Sequence, residues 1–316
     1  MHKIILSLSG MILVALIIAT FFYQEMERVL LPQEVLLGNN QQEHTSTEEQ
    51  DEPEQTLWPV NQDAISYSLQ HDALHITFNG GGDWVEVPVE QEQLFQGEYN
   101  GNRQTLIEES YILQGDRVAF IYTEASEDMH VQQVMVLYSV DQGETWQEGT
   151  IADAFPGLRY RKIDFVNNSF GYAILSGDRT MSSEYSLAYL THDGGETWES
   201  AAETPTTRLI ADGGFTDEQT GFLSYGTINP EKPDVYVTQD SGKSWEQAVF
   251  NIPETYEQIF VQAETPFIED DHLAVLVNQG PNGDYQGGLL KGKFISKDNG
   301  LNWGFLEEVP ADDTDA

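Results

Sequence analysis

Apolar residues in this chain come in short runs, most of them four to seven residues long, either alternating with polar positions or rich in β-branched and aromatic side chains. Val134–Tyr138, Gly171–Leu175, Leu187–Leu190, Gly221–Tyr225, Val235–Val237 and His272–Val277 are of this kind. Polar turns rich in Gly, Asn, Asp and Ser separate them. Such runs are too short for helices and have the period and punctuation of strands. One segment stands apart: Ile4–Tyr23 is twenty residues without a charge.

An eight-residue pattern, [ST]-x-[DN]-x-G-x-[TSND]-W, recurs after the apolar runs. Four copies are close to complete, ending at Trp146, Trp198, Trp245 and Trp303, and a weaker one ends at Trp84. Their third and fifth positions are Asp141 and Gly143, Asp193 and Gly195, Asp240 and Gly242, Asp298 and Gly300, with Asn79 in the weaker copy. The acidic or amide side chain can bond backbone further along, the Gly accepts a positive φ, and the Trp opens the next strand with a large apolar ring. These positions are therefore expected to be structural. Successive tryptophans lie 62, 52, 47 and 58 residues apart. A period near 40–50 residues with β-rich sequence between the marks is that of a β-propeller.

The motif resembles the Asp-box, or BNR repeat, of sialidase-like propellers, sortilin-type receptors and Ycf48-like photosystem-assembly proteins. The resemblance covers about residues 63–305. It implies blades of four antiparallel strands with each box between the third and fourth: about five blades, possibly six, the first short of one strand. The tail 304–308 is available to complete a blade. The resemblance does not fix a function, because such propellers include enzymes, receptors and assembly factors.

Ile4–Tyr23 is long enough to cross a bilayer as a helix. Lys3 before it, and Glu25 and Glu27 after it, place the rest of the chain outside the cytoplasm. A cleaved signal peptide is the rival reading, but its apolar core is shorter and ends in a small-x-small site that this run lacks. The expected organisation is an anchor and juxtamembrane segment over 1–37, an acidic linker over 38–56 with too few apolar residues to fold, a propeller over 57–310 and an acidic tail over 311–316. The expected location is the outer face of a cell membrane.

The chain has 53 acidic and 14 basic residues, a net charge of −39. That excludes a nucleic-acid partner, which needs a basic footprint. No cysteine is present and the seven histidines show no ligand spacing, so neither a metal nor a cofactor is expected. The acidic clusters 269–271 and 282–284 match no calcium loop and read as solvated loops. The scarce basic residues bunch: Arg159, Arg161 and Arg208 open predicted inner strands. With Tyr160 they are the candidate anion site, suited to a carboxylate. A sialidase needs a Tyr nucleophile with a carboxylate beside it, an acid/base Asp and an arginine triad. No arginine precedes the first box within 57–79, and the candidate arginines are too close in sequence to match the triad. The expectation is a non-catalytic binding or assembly module with a protein or glycan partner, and the alternative a divergent sialidase-like glycoside hydrolase.

Overall fold

The first sheet is built from β1 (Ser66–Ser68), β2 (Ala73–Thr77) and β3 (Val85–Glu90), all antiparallel. After a single-turn helix α1 (Gln91–Leu94) the same meander recurs with four strands. Sheet 2 is β4 (Tyr111–Leu113), β5 (Val118–Ala125), β6 (Val131–Ser139) and β7 (Gln147–Pro156). Sheet 3 is β8 (Leu158–Phe165), β9 (Gly171–Gly177), β10 (Tyr185–Thr191) and β11 (Glu199–Ser200). Sheet 4 is β12 (Leu209–Phe215), β13 (Gly221–Gly226), β14 (Asp234–Thr238) and β15 (Glu246–Gln247). Sheet 5 contains β16 (Val249–Asn251), β17 (Gln262–Ala263), β18 (Phe267–Glu269), β19 (His272–Asn278), β20 (Leu290–Ser296) and β21 (Asn302–Pro310). This computed structural model describes residues 56–125, 131–226, 229–280 and 283–311. They belong to one compact unit, Gln55–Ala316. The chain is all-β, and its run of four-stranded sheets is consistent with a propeller.

The core lies between sheets, because neighbouring sheets stack face to face. Alternation along β5 shows why. Val118, Phe120 and Tyr122 point towards sheet 1, among Tyr67, Leu74, Ile76 and Val87. Ala119 and Ile121 point towards sheet 3, among Leu158, Ile163, Ala173 and Leu175. Both faces are covered, so the middle strands read as unbroken apolar runs rather than clean alternation. Equivalent layers join sheets 3 and 4 through Tyr172, Ile174, Phe215 and Leu223, and sheets 4 and 5 through Phe222, Val237, Val275 and Trp303.

Each box lies between the last two strands of its meander, after β2, β6, β10, β14 and β20. Sheet 1 has three strands, and Val60 donates to Tyr67 O at 2.9 Å along the free edge of β1. The tail does not complete another sheet: β21 pairs with β20 and, in parallel, with β16. Val249 N donates to Leu301 O at 2.8 Å, so this edge is taken by the connection leaving sheet 4. The predicted anchor over 4–23, the linker over 38–55, Asn282 and the tail beyond 311 lie outside the described residues. Among the described residues no helix is long and apolar enough to cross a membrane.

Candidate active site where the first strands converge

The boxes are closed hydrogen-bonded turns. In the third box, Asp193 Oδ1 accepts from Thr197 N at 2.9 Å and Oδ2 from Thr197 Oγ1 at 2.5 Å. Thr191 Oγ1 donates to Asp193 Oδ1 at 2.8 Å and accepts from Gly195 N at 2.9 Å. Asp141, Asp240 and Asp298 repeat the arrangement with Thr145, Ser244 and Asn302, and Asn79 repeats its backbone bond with Asp83. Hydrogen bonds from Thr197 hold the Asp193 carboxyl down to about 2. Gly300 has a φ of +89°, and a Cβ there would meet Phe222 at 2.2 Å, so the turn and its packing both require glycine. The box tryptophans serve the core to different depths: Trp303 and Trp245 are buried, whereas Trp84, Trp146 and Trp198 are half-buried. With their oxygens already satisfied inside the turn, these aspartates have little left to offer a substrate.

The four candidate ligand residues each have partners of their own in the fold. Arg159 forks onto Glu184, with Nη2 2.6 Å from Oε1, and Glu184 is almost fully buried. Arg208 Nη1 is 2.6 Å from Asp234 Oδ2. Arg161 is 1% exposed and donates to the carbonyls of Leu94, Gln96 and Tyr99, tying sheet 3 to the loop after α1. Burial pushes its guanidinium down to about 10. In a chain this acidic these three arginines find carboxylates or carbonyls close at hand.

Tyr160 belongs to a different constellation. Its hydroxyl donates to Glu109 Oε2 at 2.9 Å. Lys162 Nζ lies 2.6 Å from Glu109 Oε1 and 2.6 Å from Asp212 Oδ1, and donates to Thr265 Oγ1 at 3.2 Å. Asp212 Oδ2 accepts from Thr265 N at 2.6 Å, and Thr265 Oγ1 donates to Gly213 O at 2.9 Å. Glu109 precedes β4, Tyr160 and Lys162 lie on β8, Asp212 on β12, and Thr265 between β17 and β18. Four successive sheets thus contribute to one polar cluster, two from their first strands and two from the segments beside a strand. Tyr160 and Lys162 share a face of β8 by the two-residue repeat. Tyr172, beside them on β9, donates to Asp164 Oδ2 at 3.4 Å.

Burial, then Asp212 and Glu109, push the Tyr160 phenol far above its ordinary value. Burial alone would lower the Lys162 ammonium, but Asp212 and Glu109 outweigh it and hold the group above its ordinary value. The cluster therefore keeps a permanent cation between two carboxylates and a neutral phenol aimed at one of them. Among the described residues no His, Asp and Glu cluster could hold a metal ion. Glu109, Asp212 and Thr265 are absent from the sequence-derived site. One weak signal existed: Lys162 and Asp212 each stand three residues before the phenylalanine, Phe165 or Phe215, that ends its strand.

The BNR/Asp-box repeat is matched at residues 137–148 and 189–200. This chain carries BNR/Asp-box repeats. Among curated proteins nothing matches the sequence. Similar solved structures include the GH74 xyloglucanase from Xanthomonas campestris, 14% identical, covering 77% of this chain and 36% of that one at a TM-score of 0.43. A Hadza microbial sialidase is 14% identical, covering 59% of this chain and 41% of its own at a TM-score of 0.39. A family 117 glycoside hydrolase from Zobellia galactanivorans is 13% identical, covering 64% and 68% at a TM-score of 0.38. The chain thus spans little more than a third of the xyloglucanase. Likenesses this distant transfer neither substrate nor active-site residues. They do run against the expectation of a non-catalytic binding or assembly module, since these neighbours are glycoside hydrolases. That expectation, and with it the exclusion of enzymatic activity, is withdrawn.

Proposed function

We propose that the chain is a divergent sialidase-like glycoside hydrolase, a five-sheet propeller held at the outer face of a cell membrane by residues 4–23, with a glycan as substrate. The observation that carries the catalytic reading is the Tyr160 hydroxyl donating to Glu109 at 2.9 Å beside the Lys162–Asp212 pair, where residues of four sheets meet. A Tyr nucleophile next to a carboxylate is the arrangement by which sialidases depart from other glycosidases. Burial makes a free phenolate inaccessible at neutral pH, so the proton passes to Glu109 as Tyr160 Oη bonds the anomeric carbon. The glycosidic bond breaks, and its oxygen takes a proton from a solvent water, which is left as hydroxide, while Lys162 stays charged. A second water then cleaves the glycosyl–tyrosine bond, giving one proton to that hydroxide, and Glu109 returns the phenolic proton to Tyr160 Oη. Lys162 is the cation of the cluster, in place of the missing arginine triad. The tether rests on the length of the uncharged run and the acidic linker after it.

The test uses washed membranes carrying the full chain and a panel of fluorogenic glycosides that includes an α-sialoside. Hydrolysis of at least one member should sediment with the membranes. Tyr160→Phe, which keeps the ring and removes the nucleophile, should lower it about a thousandfold or more with the melting temperature nearly unchanged. Activity in the soluble fraction overturns the tether. A silent panel, or a Tyr160→Phe variant as active as the parent, overturns the hydrolase.

A further inference from the structure

A cavity of about 290 Å³ opens at the end of sheet 4, where Arg208 leads into β12 and residues 229–233 lead into β14. Its wall carries Arg208 and Lys232 together with Glu231 and Asp234, and the polar Tyr225, Asn229 and Gln247. The chemistry of this lining is unusual for the molecule. A neighbouring cavity on sheets 1 and 2, of about 380 Å³, has Asp72, Glu86, Glu90, Glu124 and Glu148 in its wall and no cation. In a chain of net charge −39, a cavity whose two cations offset its two carboxylates repels an anion less than that all-acidic one does.

The arrangement of Arg208 leaves it able to bind. Asp234 is largely buried, and both its oxygens are used: Oδ2 by Arg208 Nη1 at 2.6 Å and Oδ1 by Gln247 Nε2 at 2.8 Å. Asp234 therefore holds the guanidinium at one corner. Arg208 keeps about half its side chain exposed, and its Nε and Nη2 have no partner among the described residues. Two N–H groups on one edge of a fixed guanidinium match the two oxygens of a carboxylate. Lys232 is exposed and has no ion pair or hydrogen bond among the described residues. It supplies a second, mobile charge to the same cavity. Asn229 is an exposed amide at the mouth, a group suited to sugar hydroxyls. Asp212 lies four residues further along β12, about 13 Å away at strand spacing, so this cavity is separate from the Tyr160 cluster.

We propose that this cavity is a binding site for a small hydroxylated carboxylate, a uronic acid or a sugar acid of that size, with Arg208 holding the carboxylate and Lys232 closing over it. It does not rest on the hydrolase reading and holds whether or not Tyr160 is catalytic. The test is a calorimetric titration of the full chain in detergent with glucuronate, and with glucose as the neutral control. Binding of glucuronate should weaken about threefold or more as salt rises from low ionic strength to about 0.5 M, because exposed charges are screened. Arg208→Gln should abolish it, and Lys232→Gln should weaken it about threefold or more, while glucose binds in neither buffer. Lys232 is exposed and holds nothing together, so Lys232→Gln decides the matter even where Arg208→Gln harms folding. Absence of glucuronate binding, equal binding of glucose, or a Lys232→Gln variant that binds as the parent does would each overturn the site.

Discussion

The Asp boxes and the cluster around Lys162 are both networks of carboxylates and hydroxyls, yet they are built over opposite ranges of sequence. In a box every partner of the Asp is within four residues: Asp193 meets Thr191 and Thr197. In the cluster, Tyr160 and Glu109 are 51 residues apart, Lys162 and Asp212 are 50 apart, and Lys162 and Thr265 are 103 apart. The box is closed before any sheet stacks on another. The cluster exists only once four sheets have come together. A local network is a property of the sequence, while a distributed one is a property of the fold.

The largest expected effect separates packing from hydrogen bonding inside the boxes themselves. Trp303 is fully buried, stacks on Phe250 at 5.8 Å between centroids, and donates from Nε1 to Gly300 O at 2.8 Å. Trp303→Ala should cost about 3–5 kcal/mol, as large-to-small core changes do, read by chemical denaturation. A loss near 0.5 kcal/mol would mean that the ring is not part of the layer between sheets 4 and 5.

The same contrast explains what could be read from sequence. The strands were visible because their periods and turn residues are local, as Gly171–Leu175 and Gly221–Tyr225 show, each lying within a strand that begins at its glycine. The box positions were visible because each copy repeats one closed circuit. The long reach of β7 to Pro156 was not, since Gly149 and Asp153 weaken the apolar pattern. Nor was β16, three residues held only by parallel pairing with β21. Arg159 was misjudged because its partner, Glu184, lies 25 residues away in the β9–β10 connection, where nothing in the local pattern marks it. Tyr160 was noticed for its neighbours on the chain, but its partner Glu109 belongs to another sheet.

A middle-sized effect tests whether the distributed network also stabilises. Lys162 has a side chain 12% exposed between two carboxylates that are 37% and 19% exposed. Lys162→Met keeps the length of the side chain and leaves two like charges facing each other. Fully buried pairs lose about 3–5 kcal/mol when one partner is removed, and the partial exposure here reduces that to about 2–3 kcal/mol. The cost should shrink in an Asp212→Asn background, where one of the two facing charges is already gone. A cost that is the same in that background would show that Lys162 serves by packing alone and that the cluster is not an electrostatic unit.

The smallest effect belongs to the local network and appears as a titration more than as a loss of stability. Asp193 ordinarily would titrate at 3.8, and hydrogen bonds from Thr197 bring it to about 2 in the folded chain. A depressed carboxyl favours the folded state above its unfolded value and ceases to do so as pH falls through the folded one. The window is therefore between about pH 4 and pH 2, with the contribution complete above it and gone below it. The group is almost wholly open to water, so solvent screening keeps that contribution small. The side-chain carbon resonance of Asp193 should titrate near 2 in the parent. Thr197→Val removes the hydroxyl donor to Oδ2 but leaves the backbone donor to Oδ1, so the midpoint should rise part of the way towards 3.8. Tyr160 and Lys162 lie outside this circuit, so hydrolysis should be unaffected. A midpoint unchanged by Thr197→Val would mean that the backbone bond alone sets the carboxyl, and that the hydroxyl at this position of the box serves the turn in some other way.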